Sequence, residues 1–261
     1  AITIYFSKTP AMITGHPGSR TTSYLVAGNQ TGAKSAFSNA VKTDHWYFLQ
    51  GIDVISTGSA VAVLGDSITD GRGSTTNQQD RWPDLLAINL VDHGMKTCVL
   101  NLGIGGNCVV SGGLGQPALE RFDRDVLKQP GVRWLIIFEG VNDIGGTKDS
   151  TSAAGVIAEL TNAYDIMIAK AHAAGIKVYG CTITPFKKSF YYKDYRERAR
   201  ASVNSWIRTS GHFDKVIDFD EIVRDPADPE TLLAELQSDY LHLNAKGYQK
   251  LGTAVDLALF K

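Results

Sequence analysis

From about residue 57 onward, short runs that are almost wholly apolar alternate with longer segments whose apolar residues recur at helical spacing. Residues 61–64, 97–102, 134–138, 176–182 and 215–218 read as strands, and 81–93, 119–127, 151–174, 192–209 and 244–260 as helices. The first of these helices has Leu85, Leu86 and Leu90 near helical spacing and accepts Pro83 in its first turn, while Gly175 stands where the long helix should close. Strands that are apolar at successive positions, rather than alternate ones, must be covered on both faces. The pattern therefore predicts an α/β protein, a parallel sheet in a three-layer α/β/α sandwich. Ligands of such sheets bind beyond the carboxyl ends of the strands, so the residues that follow each strand are the place to look for chemistry.

Residues 1–56 follow a different pattern. They are rich in Thr, Ser and aromatic residues, alternate along Ala1, Ile2, Thr3, Ile4, Tyr5 and Phe6, and include the apolar stretch His45, Trp46, Tyr47, Phe48 and Leu49. This reads as short strands and turns, a β-rich segment ahead of an α/β domain at 57–261. A strand starting at the first residue has no partner before it, which predicts a missing upstream β-rich region or addition to another sheet edge. The aromatic residues are too apolar to be left in water, so the segment is expected to form β structure packed on the α/β domain, with Arg20 to Tyr24 packing rather than lining a cleft.

Composition narrows the function. The 261 residues are 43% hydrophobic and carry a formal net charge of −1, which is enough to bury a full core but leaves no basic surplus for phosphates. Nucleic acid and anionic membrane surfaces are therefore not expected partners, and a small neutral or polymeric substrate fits better. No apolar run approaches the roughly 18 residues of a membrane span, and no charged-then-apolar leader opens the chain, which is expected to be a mature form or a fragment. The one sequon, Asn29-Gln30-Thr31, tilts the expectation toward secretion. Cys98, Cys108 and Cys181 are too few and scattered for a disulfide framework or a zinc site; Cys98 and Cys181 fall in strand-like segments and read as buried free thiols, with one disulfide as the alternative. No HExxH, paired CxxC or carboxylate-rich loop suggests a metal, and no cofactor is expected.

Four segments carry the candidate chemistry. Ser67 follows the first strand in Gly65-Asp66-Ser67-Ile68, Gly106 lies after the second in Asn101 to Asn107, Asn142 follows the third in Gly140-Val141-Asn142-Asp143, and Asp239-Tyr240-Leu241-His242 precedes the last helix. A serine hydroxyl needs an imidazole to take its proton, and the imidazole needs a carboxylate to hold its tautomer. The developing oxyanion needs preplaced donors, which a glycine amide and an asparagine side chain can supply.

Taken together and in this order, these segments resemble the blocks of the SGNH hydrolases, the GDSL-type esterase and lipase superfamily, with Ile68 where the name has Leu. The resemblance implies a flavodoxin-like SGNH hydrolase fold in which Ser67 is the nucleophile, His242 the base and acid, and Asp239 the orienting carboxylate. It also implies an oxyanion hole made of the Ser67 and Gly106 amides and the Asn142 side chain. The activity implied is carboxylic ester hydrolysis through a serine acyl-enzyme, with short acyl esters, acetyl groups on polysaccharides among them, as expected substrates. A thioesterase, lysophospholipase or acyltransferase with the same triad is the alternative among enzymes, and a non-catalytic carbohydrate-binding domain the alternative outside them. Residues 1–56 lie outside the blocks and are similar to the end of the β-rich amino-terminal region of larger secreted members.

The remaining polar residues read as structural. Asp66 and Asp143 are expected to bond nearby backbone amides, Asp70 and Arg72 to be solvated loop charges, and His16, His45, His93, His172 and His212 to lack partners at a recognisable spacing. The run from Gly113 to Ala118 imitates a dinucleotide fingerprint but starts too far past its strand, and Pro117 fits a loop entering a helix. A Gly-x-Ser-x-Gly elbow is absent, which separates the chain from the α/β-hydrolases.

Overall fold

The structure is a computed structural model that describes residues 2–33, 37 and 39–261. Its contacts divide the chain into two units, one made of residues 1–55 with 75–78 and the other of 56–74 with 79–261. In the first unit, strand β1 (Gly15–His16) and strand β4 (Trp46–Tyr47) pair antiparallel, as do β2 (Ser23–Leu25) and β3 (Val41–Thr43). Asn77 ties the 75–78 segment to this unit, accepting from the Thr22 N–H at 2.8 Å and donating its own N–H to the Arg20 carbonyl at 2.9 Å. The predicted strand at the amino terminus does not form. Residues 2–6 are exposed and unpaired in any ladder, because alternation alone cannot hold a strand that has no neighbour; Ala1 lies outside the described residues. Phe6 instead packs on Phe48, with ring centroids 4.6 Å apart.

The second unit is built on five parallel strands, β5 (Ser59–Gly65), β6 (Thr97–Gly103), β7 (Val132–Phe138), β8 (Lys177–Cys181) and β9 (Lys215–Ile217), in the order β6-β5-β7-β8-β9. Residues 60–65 of β5 are all buried, which explains their unbroken apolar run. The sheet is flanked by α1 (Ser67–Asp70), α2 (Trp82–Asp92), α3 (Ala118–Phe122), α4 (Val141–Gly145), α5 (Ser150–Ala173), α6 (Asp194–Thr209), α7 (Phe219–Val223) and α8 (Ala245–Ala254). On one side α2 packs with α8 and α8 with α7; on the other α5 packs with α6 and α3, giving the three-layer α/β/α fold. Trp82 of α2 fills the first layer against Phe138 and Phe219, and Tyr164 of α5 fills the second against Trp206 and Phe213.

The chain leaves β5 toward β6 and then crosses to β7 on the other side. The strand order therefore reverses around β5, and the crevice this leaves opens at the carboxyl ends of β5 and β7. Some elements differ from the sequence pattern. The 119–127 helix is α3 followed by a wider π turn at Asp123–Leu127, and the last helix stops at Ala254 where Val255 turns extended, leaving a short 3-10 turn, Leu257–Phe260, that packs Phe260 on Trp134 and Tyr179. An antiparallel hairpin, β10 (Arg224–Asp225) and β11 (Asp228–Leu232), lies beyond β9; its Pro226-Ala227 turn lacks the Gly or Asn that would have announced it.

Candidate active site

The carboxyl end of β5 shows why this stretch of sequence delivers a hydroxyl. A Cβ at Gly65 would lie 2.2 Å from Thr69 Oγ1 and 2.8 Å from the Phe138 carbonyl, so only glycine lets the strand turn directly into α1. Asp66 caps that turn by accepting the Ile68 N–H at 2.9 Å, and Gly71, with φ of 92°, closes it by donating to the Ser67 carbonyl. Ser67 is thus the first residue of a one-turn helix, its side chain aimed at the loop that precedes α8.

That loop is a tight turn. The Ser238 N–H donates to the His242 carbonyl at 2.9 Å, and Tyr240 sits in the left-handed region at φ of 62°, its N–H held by Gln237 Oε1 at 2.7 Å. Asp239 turns inward under this strained residue. Its Oδ1 accepts from the Leu241 and His242 backbone at 3.1 and 2.8 Å, and its Oδ2 meets His242 Nδ1 at 2.8 Å. His242 Nε2 then lies 2.9 Å from Ser67 Oγ. Burial pushes the Asp239 carboxyl up, but the backbone N–H and the imidazole of His242 outweigh it and hold the group below the usual carboxylate range. An ionised carboxylate only accepts, so the Nδ1 proton must point to Asp239 and the Nε2 lone pair to the serine hydroxyl.

The oxyanion candidates come together from two other strand ends. Gly106, after β6, has φ of 74°, a conformation that favours glycine. Asn142, in α4 after β7, is buried and held at both ends of its amide: Nδ2 donates to the Asn107 carbonyl at 2.8 Å, and Oδ1 accepts from the Tyr191 hydroxyl at 2.8 Å. Next to it, the Asp143 carboxylate accepts from the Val109 N–H at 2.9 Å and the Val110 N–H at 3.0 Å. Asn142 and Asp143 together clamp the 107–110 segment that follows Gly106. Asn107 is itself fixed, its amide donating to the Leu114 and Gln116 carbonyls and its Oδ1 accepting from Arg121 Nε and Nη2.

Beneath these groups lie carboxyls that burial pushes above the usual carboxylate range. Asp66 is pushed up to about 7, chiefly by desolvation, with the neighbouring Asp143 and Asp70 adding to it against the Ile68 amide. Asp143 is pushed up to about 6 by burial, partly offset by its Val109 and Val110 bonds. Glu139 is also raised well above its ordinary value, first by burial; its nearest cation is the buried Arg121, whose Nη2 is 3.7 Å away, and neither of its oxygens has a hydrogen-bond partner among the described residues.

Asp66 and Asp143 therefore serve as backbone acceptors, as their positions suggested. Asp70 differs from its expected solvated state: α1 carries it to 5% exposure, with Gly105 packed near it, while Arg72 is exposed. His172 and His212 do have partners, Asp214 at 2.8 Å and Asp165 at 2.5 Å, brought from 42 and 47 residues away and so invisible as local spacing; both pairs stand on the surface. Cys98 is exposed rather than buried because β6 is an edge strand, whereas Cys108 and Cys181 are buried, and all three are free. Tyr191, Asn107, Arg121 and Glu139 also belong to the site, although no motif in the sequence marks them as such. Asn107 had a signal in its place right after Gly106; Tyr191, 49 residues from its partner, had none. Among the described residues no cluster of His, Cys, Asp and Glu is arranged to hold a metal ion, and no helix is long and apolar enough to cross a membrane.

A parallel α/β/α sandwich with this serine at a strand end and this aspartate and histidine in the turn before its last helix has the architecture of the SGNH hydrolases. Residues 63–250 match the GDSL-like Lipase/Acylhydrolase family, and the chain belongs to it. It is thus an ester hydrolase in the broad sense. Solved structures with the same fold include a lipolytic protein of the G-D-S-L family from Desulfitobacterium hafniense DCB-2, at 21% identity, a TM-score of 0.58 and coverage of 76% of this chain and 97% of that one. A GDSL-like lipase from Bacteroides thetaiotaomicron VPI-5482 is similar at 20% identity and a TM-score of 0.55, over 77% of this chain and 88% of that one. The acetyl xylan esterase AlAXEase is similar at 24% identity and a TM-score of 0.54, over 76% of this chain and 100% of that one. At these identities the likeness is one of fold. No curated protein matches the chain in sequence.

Proposed function

We propose that the protein hydrolyses short acyl esters through a covalent acyl-enzyme on Ser67, with acetyl groups on polysaccharides as the substrate class. The observation that carries this reading is the continuous line from Ser67 Oγ to His242 Nε2 at 2.9 Å and from His242 Nδ1 to Asp239 Oδ2 at 2.8 Å. Ser67 Oγ bonds to the ester carbonyl carbon as its proton passes to His242 Nε2. The carbonyl oxygen becomes an oxyanion held by the Ser67 and Gly106 N–H groups and by the second hydrogen of Asn142 Nδ2, the first being taken by Asn107. Collapse breaks the bond to the alcohol, which leaves with the proton from His242. Water then attacks the acyl carbon, giving its proton to His242, and the carboxylic acid leaves as Ser67 regains its hydrogen.

Support for both the acetyl group and the polysaccharide comes from the fold shared with an acetyl xylan esterase. The reading carries an extracellular setting with it, where acetylated polymers and the exposed sequon at Asn29 both belong. The test is release of p-nitrophenol from its acetate, propionate, butyrate and octanoate esters, and of acetate from acetylated xylan, by the wild-type protein and by Ser67→Ala. Turnover that falls with acyl length and is lost in the variant is expected; wild-type turnover by a folded Ser67→Ala protein would refute the mechanism, and a preference for octanoate would refute the substrate class.

A further inference from the structure

The Asn142 amide can present a donor to an oxyanion only if it is prevented from turning over. Its two contacts decide this together. The Asn107 carbonyl can only accept, so Nδ2 must face it; Oδ1 then faces Tyr191, and the phenol must donate. A hydroxyl that both donates and accepts would tolerate either orientation of the amide, but the Asn107 carbonyl would not. The Asn107 carbonyl therefore sets which way the amide faces, and the Tyr191 hydroxyl anchors its other end.

Tyr191 is itself held as a fixed part. Its ring lies across Gly145 at the end of α4, where a Cβ would come within 2.6 Å of the ring, so glycine at this position makes room for it. Its backbone carbonyl accepts from Arg196 Nη1 at 3.0 Å, and the same guanidinium donates from Nε to the Thr147 carbonyl, also at 3.0 Å. One side chain thus ties the Tyr191 segment to the residues just past α4. A phenol keeps its proton for donation throughout the neutral range, and burial, with Asp66 and Cys108 nearby, pushes this one higher still.

Resting on the reading of Asn142 as an oxyanion donor, we propose that Tyr191 is the positioning residue of the oxyanion hole, locking the Asn142 amide so that its free N–H points at the carbonyl oxygen of the substrate. Tyr191→Phe keeps the ring over Gly145 and removes only the hydroxyl. Without that donor the amide gains rotational freedom and Oδ1 is left buried without its bond. Because the lost contact acts on the developing charge rather than on the bound ester, kcat should fall while KM holds.

The experiment is a double-mutant cycle on p-nitrophenyl acetate with the wild-type protein, Tyr191→Phe, Asn142→Ala and the double variant, with melting temperatures taken alongside. The expected result is a fall in kcat of about 10-fold for Tyr191→Phe with KM changed less than about twofold, and about 10²-fold for Asn142→Ala. In the Asn142→Ala background, Tyr191→Phe should have no further effect, since its only route to the chemistry is already gone. An equal factor in both backgrounds, or no fall in the wild-type background while Asn142→Ala does lose activity, would overturn the positioning role and leave the oxyanion assignment intact. Unchanged turnover in Asn142→Ala would overturn the oxyanion assignment itself and this inference with it.

Discussion

Replacing Asp66 by asparagine removes an ionisable group from the interior beneath Ser67 while keeping an oxygen for the Ile68 N–H at 2.9 Å. The carboxyl of Asp66 is 2% exposed and raised to about 7 by burial, with Asp143 and Asp70 reinforcing the shift and Glu139 raised in the same region. Below the ordinary value of 3.8 the group is protonated in both the folded and unfolded chain and costs nothing. As pH rises from there toward 7, the unfolded chain gives up the proton while the folded protein retains it, so stability falls by about 1.4 kcal/mol per pH unit and by about 4 kcal/mol in all. The amide of the Asp66→Asn variant cannot ionise and escapes that loss. The difference between variant and wild type should therefore be small at pH 4.5 and grow in favour of the variant by several kcal/mol at pH 8, or about 10 °C in Tm for a unit of this size. Asp143 and Glu139 titrate in both proteins and largely cancel in the comparison. The second hydrogen of the new amide adds an offset that does not depend on pH. Thermal unfolding followed by circular dichroism at half-unit steps from pH 4.5 to 8 reads the slope directly, and parallel Tm curves for the two proteins would refute the argument that Asp66 is held neutral.

Three further outcomes follow from the same geometry. Asp239→Asn should lower kcat by about 10³- to 10⁴-fold, less than Ser67→Ala, because an amide at this position can hold the imidazole in the wrong tautomer; steady-state rates on an activated ester decide it, and a change under about tenfold would count against Asp239 as the orienting group. Gly106→Ala forces a φ of 74° on a residue with a side chain and brings Cβ to 3.0 Å from Leu114 Cδ1; since Leu114 is exposed and can move, the expected result is a loss of only about 1–2 kcal/mol in stability but about tenfold or more in kcat. In the first unit, the amides of Ser23–Leu25 and Val41–Thr43 should exchange with deuterium distinctly more slowly than those of residues 2–6, and equal rapid exchange throughout would show that the paired strands do not persist.

The sheet was legible because its signal is local. The core run of β5 is apolar at successive positions since both faces of the strand are covered, and the longer helices beside the sheet place apolar residues near helical spacing. Ser67, Gly106 and Asn142 stood out because they follow strands, where such sheets bind ligands, and because they resemble the blocks of the SGNH hydrolases. Elements held by distant contacts were not legible. The β10–β11 hairpin turns without glycine, and residues 2–6 alternate like a strand but have no partner to make them one. The same limit explains Tyr191, Arg121 and the His172–Asp214 pair: a polar side chain that bonds a group many residues away leaves no periodicity or spacing behind.

What those unannounced residues do together accounts for the unusual charge beneath the site. Arg121 is buried, and its guanidinium donates to the carbonyls of Leu102 and Gly65, near the ends of β6 and β5, as well as to Asn107 Oδ1. One cation thus joins the strand that leads to Ser67, the strand that leads to Gly106, and the residue whose carbonyl holds Asn142. A buried cation calls for negative charge nearby, which Asp125 supplies at 3.3 Å, while the Glu139 carboxyl lies 3.7 Å from the same guanidinium. Asp66 and Asp143 are added for a separate reason, as acceptors for backbone N–H groups at two turns that hydrophobic residues could not satisfy. Desolvation, with repulsion of Asp66 by Asp143 and of Glu139 by Asp66 and Asp143, then raises the carboxyls of Asp66, Asp143 and Glu139 above the usual range. The region gives up stability as pH rises, and what it gains is a set of turns whose amides are held by specific polar bonds rather than by packing alone.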